Sequence, residues 1–86
     1  MNKATETVKL WYDHNDDYKA RKKIILGNLT DVRELPDKIN ESLEDDRPSV
    51  AWMWDDVVTN FLDDVDYDYL AEYWLEEWGH LVGNFQ

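Results

Sequence analysis

Glu6-Thr7-Val8-Lys9-Leu10-Trp11-Tyr12 is the stretch on which the fold turns, because its alternating apolar residues set Val8, Leu10 and Tyr12 on one face of an extended strand. His14-Asn15-Asp16-Asp17 then reads as a turn. Residues 18–26 continue as a second strand with Tyr18, Ala20, Ile24 and Leu26 inward, although Lys22 interrupts that face and a helix ending at Gly27 is equally permitted. Taken as a hairpin, these residues make the fold α+β: a short N-terminal β-hairpin packed against three helices.

The helices follow from punctuation and period. Leu35 precedes a proline and is biased away from helical geometry, so the first helix begins at Pro36 and buries Leu35, Ile39 and Leu43 along one stripe. Ser49 is the expected N-cap of a second helix running to about residue 62. At about 100° per residue, Val50, Trp54, Val57, Val58 and Phe61 share its core side, while Trp52, Asp55, Asp56, Thr59 and Asp63 share the other. The last helix, about 67–82, places Tyr67, Leu70, Ala71, Trp74, Trp78 and Leu81 on the core face. Asp68, Glu72 and Glu76 form a separate stripe bordered by Tyr69, Tyr73 and His80.

Eighty-six residues make one small domain spanning 1–86, with room for one core and a modest stability margin. The chain has no Cys, which excludes disulfides and thiol chemistry, and the start Met-Asn-Lys-Ala-Thr-Glu lacks the apolar region of a secretory signal. The expected location is therefore the cytoplasm. No apolar run is long enough to span a bilayer, and a net charge of −11 repels anionic lipid and nucleic acid alike.

That charge is unevenly divided. Residues 1–47 hold all nine bases against eleven acids, a balance of −2, whereas residues 48–86 hold nine acids and no base, a balance of −9. The acids are Asp55, Asp56, Asp63, Asp64, Asp66, Asp68, Glu72, Glu76 and Glu77. Aromatic residues interleaved with them supply apolar area to bury, so this is no disordered acidic tail. Uncompensated like charge weakens a compact state, and a solvated helix face ordinarily mixes Glu with Lys at i,i+4. Asp68, Glu72 and Glu76 are instead like-charged at those positions. Four residues of helix rise ~6 Å, so the row repeats charge on the scale of successive phosphates along an extended strand, given the ~1.7 Å axial charge spacing of a duplex and its two separated backbones. A protein that grips phosphates can grip these carboxylates.

Other chemistries fare worse. Asp64-Val-Asp66-Tyr-Asp68 begins like a calcium-binding EF-hand loop, but its sixth position is Tyr69 where Gly is needed and its twelfth is Leu75 where a bidentate Glu is needed. His14 and His80 lie at no ligand spacing, and a small convex domain seldom supplies the desolvated pocket that general acid and base catalysis needs. We expect no enzyme, metal or cofactor. Lys19, Arg21, Lys22 and Lys23, four bases within five residues, suit a phosphate contact, but the total charge argues against it, and the cluster is expected instead to offset acids of the same chain or of a second copy, which admits a homodimer.

Trp52-Met53-Trp54-Asp55-Asp56 and Glu72-Tyr73-Trp74-Leu75-Glu76-Glu77-Trp78, in a small acidic chain without Cys, resemble the small acidic proteins by which bacteriophages and mobile elements imitate DNA. These include Ocr, the ArdA antirestriction proteins and several anti-CRISPR proteins. The likeness is strongest to the Bacillus phage host-takeover type that inhibits the nucleoid protein HU. It covers roughly the C-terminal half, and DNA mimics share charge layout without sharing a fold. It implies competitive inhibition of a basic DNA-binding protein in the bacterial host cytoplasm, with the nine acids standing in for phosphates and Trp52, Tyr69 and Tyr73 adding directional contact. HU is the first candidate, because basic arms and a basic saddle hold DNA with little base readout. A restriction enzyme, a Cas effector and RNA polymerase are further candidates. The alternative from another class is a folded interaction subunit or antitoxin that holds a basic partner through an aromatic hot spot, the acids serving solubility and steering.

Overall fold

Asn2 is the N-cap of a helix, not the lead into a strand: its side chain accepts from the Thr5 backbone N–H at 2.8 Å. In the computed structural model, which describes residues 2–83, the N-terminal segment forms helix α1 (Lys3–His14) and a second helix α2 (Asp16–Gly27) follows at once. The expected β-hairpin is therefore absent, and the described residues contain no strand. The reason lies in which residues are buried. Thr5, Val8 and Tyr12 recur at helical spacing and are fully buried, whereas Leu10, assigned inward on a strand, is exposed.

The turn expected at residues 14–17 contracts to a single residue. Asn15 ends α1, its N–H bonding to the Trp11 carbonyl at 2.8 Å, and caps α2 by accepting from the N–H groups of Asp17 and Tyr18. Helix α2 then ends at Gly27, the boundary permitted above. It buries Lys22 and Leu26, with Tyr18 half-buried, while Ala20 and Ile24 face solvent; the strand-like inward set was thus right only for Leu26 and in part for Tyr18.

A 3-10 turn (Val32–Glu34) leads into α3 (Leu35–Asp45). Leu35 itself is helical at φ −58° and ψ −43°, so α3 starts one residue before the expected boundary. Leu35, Ile39 and Leu43 are buried as expected. Helix α4 (Trp52–Asp64) starts later than expected, capped at Ala51, which leaves Ser49 outside it and without a capping role. A two-residue turn joins α4 to α5 (Tyr67–Trp78), and a 3-10 turn (Gly79–Leu81) replaces the expected last helical turn.

The core is one cluster in which Trp74 sits edge-on to Tyr12 at 4.9 Å between ring centroids. Helix α5 lies mainly against α3, and α1 lies against α2, α4 and α5. Where α1, α2 and α5 meet, a charge is buried. Lys22, 1% exposed, donates to Asp13 at 3.3 Å and lies over the Trp78 ring at 4.4 Å. Asp13 also accepts from the Tyr73 hydroxyl at 3.0 Å, and Lys9 approaches it at 4.0 Å. Burial lowers the Lys22 pKa, with the Asp13 hydrogen bond acting in the opposite sense.

Two stability results follow. Asp13→Ala, which strands the buried ammonium, is expected to cost about 1.5–3 kcal/mol in urea unfolding, whereas Lys22→Met fills the same space and leaves Asp13 with Lys9 and Tyr73, so it costs less. The reverse order would remove this pair from the fold's foundations. The second result concerns alkali. Burial is the main cause that pushes Tyr18, Tyr67 and Tyr73 up to about 12 from the ordinary 10.0. A raised pKa favours the neutral phenol in the folded state, so its stabilisation is full below pH 10 and is lost as pH rises through 12. Helical circular dichroism should therefore fall together with tyrosinate formation in that window; helix loss well below it would contradict the assignment.

Candidate functional site

The acids after residue 48 gather at one turn and along one helix. Asp63 and Asp64 end α4, Asp66 is the N-cap of α5, and Asp68 stands in its first turn. This turn is pinned to the start of α1. The Asn2 side-chain amide donates to the Asp64 carbonyl, and the Asp66 N–H donates to the buried Thr5 hydroxyl at 2.8 Å. Sequence reasoning missed Asn2 and Thr5, since their bonds span some sixty residues of chain.

From Asp68 the row continues along α5 through Glu72 and Glu76, all three exposed and opposite the buried Leu70, Ala71 and Trp74. No ion pair among the described residues engages them. Among the described residues the bases Lys9, Arg21, Lys22, Arg33 and Lys38 each pair with an acid of the first half of the chain, at Asp13, Asp46, Asp31 or Glu41. Arg47 alone crosses over. It bonds Asp55 at 2.7 Å, with Glu44 and Thr59 as further partners. The basic cluster of α2 thus turns inward in part: Lys22 is buried on Asp13, and Arg21 meets Asp46 at 3.3 Å. The hydroxyl of Tyr18, then Arg21, holds Asp46 below its ordinary carboxylate pKa.

The expected site is therefore trimmed. Asp55 is neutralised by Arg47, and Tyr73 is half-buried with its hydroxyl committed to Asp13 and Lys9 4.5 Å from its ring centroid. Asp55 keeps a half-exposed side chain that it shares with Arg47, whereas the Tyr73 hydroxyl faces inward. Glu77 is exposed but lies about 100° round the helix from Glu76, off the row. Asp56 is exposed two turns before Asp63 on α4. Tyr69 remains partly exposed beside the α5 row, and Trp52 is 78% exposed. What stays together is Asp63, Asp64, Asp66, Asp68, Glu72 and Glu76.

The dipole of α5 makes the far end of this row unfavourable. Asp66 and Asp68 sit at the positive N-terminus, but Glu76 and Glu77 stand in the last turn, where no base accompanies them. Asp64, Asp66 and Asp68 do not form a metal cage: no group of three potential ligand side chains among the described residues is arranged to hold an ion. No helix among them is long and apolar enough to cross a membrane.

The helix face expected to be core on α4 is only half covered. Leu62 is buried and Val58 and Phe61 are partly so, but Trp54 is 62% exposed, Val57 54% and Val50 41%. From α1, Trp11 meets Phe61 of α4 at 5.8 Å between ring centroids. The chain matches no family model, no curated protein and no solved structure.

If the acid row is retained at a cost to folding, relieving it must stabilise the protein. Glu76→Lys is expected to raise the urea midpoint by the equivalent of about 0.3–1 kcal/mol, by ending the repulsion from Glu72 and complementing the helix dipole. An unchanged or lowered midpoint would show that the row carries no electrostatic strain.

Proposed function

We propose that this protein is a DNA mimic that occupies the DNA-binding surface of a basic protein and excludes DNA from it. One observation carries the reading: Asp63, Asp64, Asp66, Asp68, Glu72 and Glu76 lie exposed along one turn and helix while the paired bases are engaged elsewhere. A surface of this kind attracts Lys and Arg at long range, speeds encounter, and holds its partner more weakly as salt rises. Tyr69 and Trp52 supply contact at its border.

The nucleoid protein HU is the partner we put first, for the reason given by its mode of DNA binding: positive surface with little base readout can be occupied by charge alone. A restriction enzyme, a Cas effector and RNA polymerase come after it. The row of α5 acids repeats at ~6 Å, set by the helix rise.

Displacement of labelled DNA from HU tests the reading. The unaltered protein is expected to compete, with potency falling steeply between low and physiological salt. Replacing Asp68, Glu72 and Glu76 together by Lys should abolish competition while helicity and cooperative unfolding persist, because exposed substitutions away from the core usually cost within about 0.5 kcal/mol each. A folded triple variant that still displaces DNA would sink the proposal.

A further inference from the structure

The acids of the proposed surface fall into two groups. Asp63, Asp64 and Asp66 occupy the α4–α5 turn, and Asp68, Glu72 and Glu76 follow on α5. The second group rides on a regular helix, whose period fixes its spacing. The first has no such support. Asp63 and Asp64 close α4 at the negative end of its dipole, where the last turn carries no base, and Asp66 and Asp68 crowd like charge just beyond them. Electrostatics therefore works to open this end of α4, and other contacts must hold it.

Some of those contacts belong to the turn itself: Leu62 and Val65 are buried, and the Tyr67 hydroxyl donates to the Leu62 carbonyl at 2.9 Å. Others come from the start of α1. Thr5, with no exposed surface, accepts the Asp66 N–H at 2.8 Å and so fixes the residue that divides the two groups of acids. The Asn2 side chain has two tasks. Its oxygen accepts the Thr5 N–H as the cap of α1, and its amide donates to the Asp64 carbonyl, one of the terminal carbonyls of α4. Serine in its place would cap as well but would lack the amide that meets Asp64.

We propose that Thr5 and Asn2 are positioning residues for partner binding: by holding the α4–α5 turn against α1 they set Asp63 and Asp64 in fixed register with the α5 row, so that one basic surface meets both groups together. This rests on the reading of the acid face as the partner-binding surface. The gain is pre-organisation, since a turn already in its bound place loses less freedom on association. Both residues act through the turn, not through contact with the partner.

The test is a mutant cycle on the displacement of labelled DNA from HU by the full chain. Asp63→Asn with Asp64→Asn should weaken competition about threefold or more. In Thr5→Val, which keeps the side chain's shape but offers no acceptor, the same pair of changes should cost less than half that factor. Glu72→Gln with Glu76→Gln, on the regular helix, should cost the same factor in both backgrounds. Thr5→Ser should restore the coupling to Asp63 and Asp64. Asn2→Ser, which keeps the α1 cap, repeats the cycle should Thr5→Val lose helicity. Amide exchange adds a reading independent of affinity: the Asp66 N–H should exchange several-fold faster in Thr5→Val than in the unaltered chain or in Thr5→Ser.

Neutralising Asp63 and Asp64 at no loss in the unaltered chain, or at the same loss with and without the Thr5 hydroxyl, overturns the positioning role and leaves the acid face intact. An Asp66 N–H that exchanges alike in all variants does the same. A Thr5→Val effect shared equally by the turn acids and by Glu72 and Glu76 makes Thr5 a residue of general stability and also overturns the proposal. If the unaltered chain displaces no DNA from HU, the reading of the acid face falls first, and the positioning role falls with it.

Discussion

Asp13 is the residue on which the assembly of this fold depends. Its carboxylate receives the buried ammonium of Lys22 from α2 and the hydroxyl of Tyr73 from α5, with Lys9 of its own helix nearby. Three helices thus meet on one charged group. An unpaired buried ammonium is costly, so this contact disfavours arrangements in which α1, α2 and α5 are not all in place. The Lys22 ammonium lies over the Trp78 ring, and the Tyr12 and Trp74 rings pack edge to face in the core.

That arrangement also explains how so lopsided a charge distribution can coexist with a fold. The first half of the chain pairs its bases largely with its own acids and presents little net charge. Among the described residues only Arg47 pairs with an acid of the second half, where it ties the start of α4 to the end of α3 through Asp55 and Glu44. The remaining acids make no ion pair among the described residues but are held in place, since Asn2 and Thr5 fix the α4–α5 turn from which the row departs. Positioning comes from the neutral groups, and field comes from the acids.

Much of this was legible in the residues, and the failures have a common cause. The stripe Leu35, Ile39 and Leu43 is buried as read, and of the α5 stripe Leu70, Ala71 and Trp74 are buried while Tyr67, Trp78 and Leu81 are half-buried. The exposed acid row of α5 follows from the same periodicity. Val8 and Tyr12 satisfy a strand's alternation and a helix's i,i+4 spacing at once, so the N-terminal segment turned on Leu10, which is apolar yet exposed. Lys22 made the next segment opaque. As a polar residue it weakened a strand face, whereas in the folded chain it is a core residue because Asp13, distant by nine positions, completes it. Asp55 and Tyr73 look like surface groups in sequence, and only tertiary partners withdraw them. The α4 seam has correct helical period but half its expected cover, a fact that no pattern along the chain encodes.

The central claim is that charge on the α4–α5 turn and α5 is what holds the partner. Its most direct measurement is the affinity of the unaltered protein for HU by calorimetry across a series of salt concentrations. A field of uncompensated carboxylates requires binding that weakens progressively as the Debye length shrinks from about 30 Å at 0.01 M to about 8 Å at 0.15 M. An affinity that stays constant across that series, or the absence of any binding at its lowest salt, would contradict the account.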